Sequence, residues 1–298
     1  METDSGVVLL CPIKGKILKE VEGYYNPLAP GDWVEILPDG QDEHRGQIVS
    51  LVPRKNHFVR FNQKGNSPQI LGANLDFLVV VTTPDEPPFR PRFVDRALIQ
   101  ADAEHIVPLI VLNKSDLGLD PDTEERLADW ERLGYSVLRV SAKTEEGMDE
   151  LASHLSGKVS AFVGQSGVGK SSLLNMLDKR LALRTAGLSE KFGRGTHTTT
   201  KGMLFHLPPD QDGKSASIID TPGVRRFVLH DIAARDLALY FPEMENLVGK
   251  CSWGMSCTHT HEPGCKILEA VYAGVIHEQR YESWQRIREE IETGSWSE

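Results

Sequence analysis

The sequence predicts a multidomain α/β chain: a small N-terminal β-barrel, a central, mostly parallel sheet covered by helices, and a C-terminal helical unit organised by a metal cluster. Three observations predict it. Short β-type segments broken by turn residues run to about residue 70. From Asp76 to Asp220, apolar strand-like runs alternate with helical stretches, the pattern of a parallel sheet with crossover helices. Beyond that, Cys251, Cys257 and Cys265 fall within fifteen residues of a chain holding only four cysteines. The expected boundaries are 1–70, 71–232 and 233–298, three units in a chain whose 298 residues suit two or three.

In the first unit the strand candidates are 7–10, 14–20, 32–37, 47–52 and 58–61, separated by Gly15, Gly23, Pro30-Gly31, Asp39-Gly40, Pro53 and Gly65. Five strands at that spacing suit a small barrel. In the second unit the candidates are 77–81, 106–112, 137–140, 159–163, 203–207 and 216–219. The third is helical from about 233, breaks at the Cys/His cluster, and resumes over 266–291.

Composition narrows the classes. With 40% apolar and 26% charged residues, collagen-like, coiled-coil and wholly disordered chains are excluded. A formal charge of −10 argues against indiscriminate polyanion binding, which depends on Lys and Arg neutralising phosphates. The acidic start lacks a basic, apolar leader, and the runs 77–81 and 106–112 fall far short of the roughly 20 residues of a membrane span. A cytoplasmic protein with no membrane partner is expected. Clustered cysteines in a reducing compartment suggest metal rather than disulfides, and the lone Cys11 reads as a core residue.

Gly164-Gln165-Ser166-Gly167-Val168-Gly169-Lys170-Ser171, followed by Ser172, fits G-x-x-x-x-G-K-[ST] directly after a strand and before a helix. Its backbone amides would curl around phosphate oxygens, Lys170 would reach the β- and γ-phosphates, and Ser171 would ligate Mg²⁺. Asn113-Lys114-Ser115-Asp116 and Ser141-Ala142-Lys143 each follow a strand, where open α/β sheets bind ligands. A carboxylate at Asp116 accepts from both the ring N–H and the exocyclic amine of guanine, a donor pair adenine lacks on that edge. Asn113 would brace the loop, the Lys114 stem would lie along the base, and the Ala142 N–H would donate to the guanine carbonyl.

Asp220-Thr221-Pro222-Gly223 completes the γ-phosphate side, Asp220 holding Mg²⁺ through a water and the Gly223 N–H sensing the phosphate. Before it lies the polar stretch Gly193–Thr200, placed so that Thr198, Thr199 or Thr200 supplies a further Mg²⁺ ligand. The order is distinctive, because the base-reading motifs precede the phosphate loop, whereas Ras-like GTPases carry them after the second switch. The chain therefore reads as a circularly permuted P-loop GTPase. In this order the Asp220 motif leads almost directly into the C-terminal segment, which the nucleotide state is positioned to move.

Over essentially its whole length the sequence resembles the RsgA (YjeQ/EngC) family of small-subunit-dependent GTPases. The permuted order carries the resemblance, together with the phosphate-loop run Gly164–Leu173, the stretch Leu188–Thr200, Asp220–Gly223 and Cys257–Cys265. It implies an N-terminal OB-fold, a central permuted GTPase and a C-terminal zinc-binding domain acting late in maturation of the small (30S) ribosomal subunit. One departure is visible: five residues rather than the family's usual four separate Cys251 from Cys257.

Three thiolates and one imidazole make the ligand set of a closed structural Zn²⁺ site, one per chain. Spacing leaves both His259 and His261 open as the fourth ligand, and the resemblance selects His259. Val224 stands where Ras-like enzymes orient water with Gln, so intrinsic hydrolysis is expected to be slow. His197 is the local candidate for positioning or deprotonating that water, as the resemblance also suggests. Residues 44–64 carry Arg45, Arg54, Lys55, Arg60 and Lys64 with Phe58 and Phe61 and no acid, a candidate ribosomal-RNA surface on a barrel of OB type. The C-terminal helix, by contrast, carries Glu269, Glu278, Glu282, Glu289, Glu290 and Glu292 and reads as a mostly solvated acidic face. GTP, GDP, the 30S subunit and its rRNA are the expected partners of a monomer.

Overall fold

The computed structural model describes residues 1–13, 23–62, 65–181, 202–221 and 228–295. In the N-terminal unit, β1 (Val34–Pro38) pairs antiparallel with β2 (Gly46–Leu51), and β3 (His57–Asn62) with β4 (Ser67–Ala73). Leu10 and Ile13 bridge in parallel to Arg45 and Ile48 of the first hairpin. The expected strand at 7–10 thus forms only bridges among the described residues, and 14–20 lies outside them. Strand β4 is an addition to the sequence reading, which Pro68 and Gly72 had obscured; both are poor strand formers. It runs past residue 70 to Ala73, and β5 begins four residues later at Phe77. Phe58 is fully buried, and Cys11 is half-buried beside Gly46.

All six expected strands of the central unit are present: β5 (Phe77–Thr82), β6 (Val107–Leu112), β7 (Ser136–Arg139), β8 (Val159–Gly164), β9 (Met203–His206) and β10 (Ser217–Asp220). They form one sheet in the order β7-β6-β5-β8-β10-β9, parallel except for β9. Crossovers run through α1 (Pro91–Ala103), α2 (Pro121–Arg132) and α3 (Met148–Leu155), and α4 (Lys170–Leu177) follows β8. Because side chains alternate along a strand, β5 sends Val79 and Val81 to one face and Leu78 and Val80 to the other. The first face packs Leu151, Leu155, Leu173 and Leu174 of α3 and α4. The second takes α1 and α2, Leu71 and Leu75 from the N-terminal unit, and Phe241, Trp284 and Ile287 from the C-terminal one. Both flanking units therefore share one sheet face.

The C-terminal unit comprises the short α5 (Pro242–Glu245), α6 (Lys266–Tyr272) and α7 (Glu278–Thr293). It is joined to α1 and α2 by buried charges. Asp95 accepts from Arg126 Nη2 at 2.7 and 2.8 Å, from Arg280 Nη1 at 2.7 Å and from Trp130 Nε1 at 3.0 Å. Arg280 also donates to Glu243, at 2.6 and 3.1 Å, and lies 4.4 Å above the Phe241 ring. Removing one member of such a buried set costs about 3–5 kcal/mol, because its partner stays buried without a counter-charge. Arg96 pairs with Glu290, which is 4% exposed. This corrects the expectation for α7: Glu290 is a buried anchor, since the face carrying it turns toward α1 instead of solvent.

Where β3 meets α1, His57 Nδ1 lies 3.7 Å from Glu104 Oε2, and His57 Nε2 lies 3.2 Å from the Tyr24 hydroxyl. Burial raises the Glu104 carboxyl from 4.5 to about 7, with nearby Asp231 adding to the effect and a hydrogen bond from Gln100 opposing it. Below about 4.5 both folded and unfolded chains hold this proton; between 4.5 and 7 only the folded one does. Stability should therefore fall as pH rises through that window and level off above it. Glu104→Gln is expected to flatten this slope and to stabilise the fold by about 1 kcal/mol at alkaline pH, a figure discounted for partial exposure. Urea unfolding at about pH 5.5 and about pH 8 measures it.

Candidate nucleotide site and metal centre

The C-terminal ends of β5, β6, β7, β8 and β10 lie along one edge of the sheet, the edge at which open α/β sheets bind ligands. Every described nucleotide motif predicted from sequence stands on it. The run Gly164–Lys170 leaves β8 in the middle and enters α4. Gly169 adopts φ +92°, and a methyl group there would stand 2.2 Å from Asn113 Nδ2, so the loop admits only glycine at this point. Lys170 Nζ donates to the carbonyls of Gly164 at 2.7 Å and Gln165 at 3.0 Å. Burial pulls its ammonium down to about 8, opposed by the Asp220 carboxylate across the loop. Burial likewise raises the Asp220 carboxyl, and Lys170 pulls it back. Ser171 and Ser172 are half-buried in the first turn of α4.

Asn113 is 1% exposed and binds three loops together. Its amide donates to Val168 O of the phosphate loop at 2.8 Å, and its carbonyl accepts from Ala142 N–H at 3.1 Å. Asn113 thus ties its loop to the phosphate loop and to Ala142, whose N–H is directed at Asn113. Lys114, at φ +64°, donates to the Glu86 carbonyl on the loop after β5. Ser115 starts a 3-10 turn, its N–H bonded to Val140 O at 3.1 Å. Ser141 donates to Asp116 Oδ1 at 2.7 Å, and Lys143 Nζ lies 3.3 Å from Asp116 Oδ2. The Ser141 bond first, and Lys143 with it, hold the Asp116 carboxyl below its ordinary range, leaving it a pure acceptor at neutral pH.

That geometry yields a prediction. Asp116→Asn exchanges one acceptor oxygen for a donor, which mismatches the guanine amine and matches a base with a carbonyl at that position. GTP affinity is expected to fall at least about 100-fold and xanthosine triphosphate affinity to rise, as measured by competition against a fluorescent nucleotide. Unchanged preference for guanine would remove Asp116 from the base site.

Gly223, Thr198, Thr199, Thr200 and His197 lie outside the described residues, as does Lys64. Thr221, named from the sequence only as part of the Asp220–Gly223 motif, is 1% exposed and donates to Phe162 O at 2.6 Å, tying the start of that motif to β8. Its place beside Asp220 carries no spacing signal that would have marked the bond to β8. Among the RNA candidates, Arg54 Nε lies 2.6 Å from Asp32 Oδ1 with its side chain 10% exposed. Lys55 Nζ pairs with Asp76 at 2.7 Å, Arg60 donates to Gln69 at 3.2 Å, and Arg45 is exposed beside Asp42.

The metal ligand set closes in space. The donor atoms of Cys251, Cys257, His259 and Cys265 all lie within 4.8 Å of one another, and all four residues are buried. Cys251 Sγ is 3.8 Å from Cys265 Sγ, and His259 Nδ1 is 3.5 and 3.4 Å from the two. Tetrahedral Zn–S bonds of about 2.3 Å put neighbouring sulfurs about 3.8 Å apart, so the donor set fits zinc. His261 is exposed and turned to the Thr260 hydroxyl at 2.9 Å. Around the ligands, Glu262 accepts from the N–H groups of Thr258, Thr260 and His261, and the Lys266 N–H points to Cys251 Sγ at 3.3 Å. Tyr281 donates to His259 O at 2.6 Å, and Trp284 meets the His259 ring edge-on.

Comparison with known proteins matches this arrangement. The sequence model of the RsgA GTPase family matches residues 51–230. The small ribosomal subunit biogenesis GTPase RsgA of Chlorobaculum parvum is 38% identical over 98% of this chain and 94% of its own length. Its counterpart from Chlorobaculum tepidum is 40% identical over 95% and 91%. Among solved structures, YjeQ from Thermotoga maritima superposes with a TM-score of 0.72 at 31% identity, covering 97% of this chain and 91% of the other. YloQ, a circularly permuted GTPase, gives 0.68 at 27% identity, covering 98% and 89%.

Proposed function

The chain belongs to the RsgA GTPase family, and from that premise we propose that it is a GTP hydrolase that binds the small ribosomal subunit, assists or checks its late maturation, and leaves after hydrolysis stimulated by the subunit. The observation that carries the reading is the convergence of the phosphate loop, Asn113, Asp116, Ser141 and Asp220 on one sheet edge. The relatives named as small-subunit biogenesis GTPases supply the partner.

In this reading Asp116 selects guanine, Asn113 keeps the base loops in register with the phosphate loop, and Lys170 exchanges its two carbonyl partners for phosphate oxygens. Ser171 and, through a water, Asp220 would hold Mg²⁺, which neutralises charge on the transferring phosphoryl group. Cys251, Cys257, His259 and Cys265 would hold structural zinc. The two hairpins and the bridges from residues 10 and 13 support an OB-type N-terminal unit that meets ribosomal RNA, with Arg45 and Lys55 the exposed members of its basic set among the described residues. A division into three units, expected at 1–70, 71–232 and 233–298 but with the first carried by β4 to Ala73 and on to Leu75, a monomeric state and a cytoplasmic location belong to the same proposal. Among the described residues no helix is long and apolar enough to cross a membrane.

GTP turnover measured alone, with purified small subunits and with large subunits tests it. Selective stimulation by small subunits is expected, and absence of stimulation by either would overturn it. His197→Ala is expected to retain GTP affinity and to lose the stimulated turnover, whereas unchanged turnover would exclude a catalytic role.

A further inference from the structure

The motif order suggests that nucleotide state moves the C-terminal unit, but the packing points elsewhere. Residues bounding the Asp220 motif are seated on the N-terminal unit. Ile219, one residue before Asp220, is fully buried, and its side chain fills a slot made by Gly31 and Gly72. A methyl group at either glycine would stand 3.2 Å from Ile219 Cδ1, and Gly31 also needs its φ of +91°. Downstream of the motif, Val228 accepts at its carbonyl from Phe61 N–H of β3 at 3.3 Å. Gly202, at the head of β9, is wedged among Pro30, Leu71 O and the Asp220 carbonyl; a methyl there would stand 3.2 to 3.5 Å from each. Two residues beyond Val228, His230 is gripped through its peptide by Gln100 of α1. Its N–H donates to Gln100 Oε1 at 2.8 Å, and its carbonyl accepts from Gln100 Nε2 at 3.4 Å.

The two flanking units are thus attached differently. The C-terminal unit is fixed to α1 and α2 by the buried Asp95, Arg126, Arg280 and Glu243 set, which leaves no low-cost second position for it. The N-terminal unit rests its apolar slot on Ile219, immediately before the nucleotide-sensing motif, and its β3 edge on Val228, five residues after it.

We propose that the N-terminal unit is the nucleotide-responsive part of this chain, repositioned on the central sheet through Ile219, Gly202 and Val228, while the C-terminal unit stays fixed to α1 and α2. A partner held jointly by both units would then be gripped in one nucleotide state and strained in the other. The proposal rests on the reading of the site as a GTP site and assigns its output.

Distances between paired spin labels test it on the full chain. Labels attached through ketone-bearing residues at the exposed positions Gln41, Ala128 and Ala273 leave the native cysteines untouched. Between GDP and a non-hydrolysable GTP analogue, the 41-to-128 distance is expected to shift by several ångströms and the 128-to-273 distance to stay constant. Gln100→Ala, which touches no nucleotide contact, should shrink the first shift at unchanged nucleotide affinity. A moving 273 label with a fixed 41 label would overturn the proposal, as would two unmoved distances in protein shown by fluorescent-nucleotide titration to bind both nucleotides. Failure of that titration would instead overturn the GTP reading, and the proposal with it.

Discussion

Lys170→Ala is expected to lower GTP turnover at least about 100-fold, the loss typical when a preorganised charge facing the reacting group is removed. The loop itself places the side chain for this: Lys170 is 8% exposed and held by two carbonyls of that loop. Its depressed pKa of about 8 adds a pH signature. The phosphates require the ammonium form, so GTP affinity should be level below about 8 and weaken above it, as the free protein loses the proton that the complex retains. In Lys170→Ala that alkaline decline should disappear. Isothermal titration across pH, with single-turnover hydrolysis, measures both effects, and an unchanged rate would rule out phosphate contact by Lys170.

The second large effect concerns the metal. Cys265→Ser, or strong chelation, is expected to release one zinc per chain and to loosen the C-terminal unit, because structural zinc sites contribute on the order of 10 kcal/mol of folding energy. Cys265 is 1% exposed and stands at the start of α6, and its fellow cluster member His259 meets Trp284, which stacks on Tyr281. Hydrogen exchange should rise in α6 and around residues 257–265, with GTP affinity retained. His261→Ala should keep its zinc. Metal content by atomic absorption decides the matter, and a Cys265→Ser protein that binds zinc as before would refute the assigned ligand set. Gly264 offers a sharper variant: its φ is +72°, and a methyl group there would strike Ser252 Oγ at 2.2 Å. Gly264→Ala should therefore disturb the cluster without removing a ligand.

Much of the nucleotide site was legible because its chemistry is local. Wrapping amides around a phosphate needs contiguous residues, so Gly164 to Ser171 announce themselves in order, and the strands that present the other loops are apolar runs readable by length. Strand β4 was missed because Pro68 and Gly72 are poor strand formers, and its pairing with β3 outweighs that local preference. The bond from Thr221 to Phe162 O was not foreseen because a hydroxyl directed to the backbone of another strand leaves no trace in spacing.

By itself the sequence determined the central α/β sheet, the guanine-nucleotide motifs in permuted order and the three cysteines of a candidate metal site. Only the tertiary structure set His259 beside the three thiols and turned His261 outward, drew Arg54, Lys55 and Glu290 into ion pairs, and set which flanking unit touches the residues around Asp220. The physical reason is range. Phosphate loops are written within eight residues, whereas the partners Arg96 and Glu290 stand 194 residues apart and meet only because α1 and α7 pack on the same face of the sheet. Charge shows in composition, but whether it faces water or a counter-charge is settled by packing.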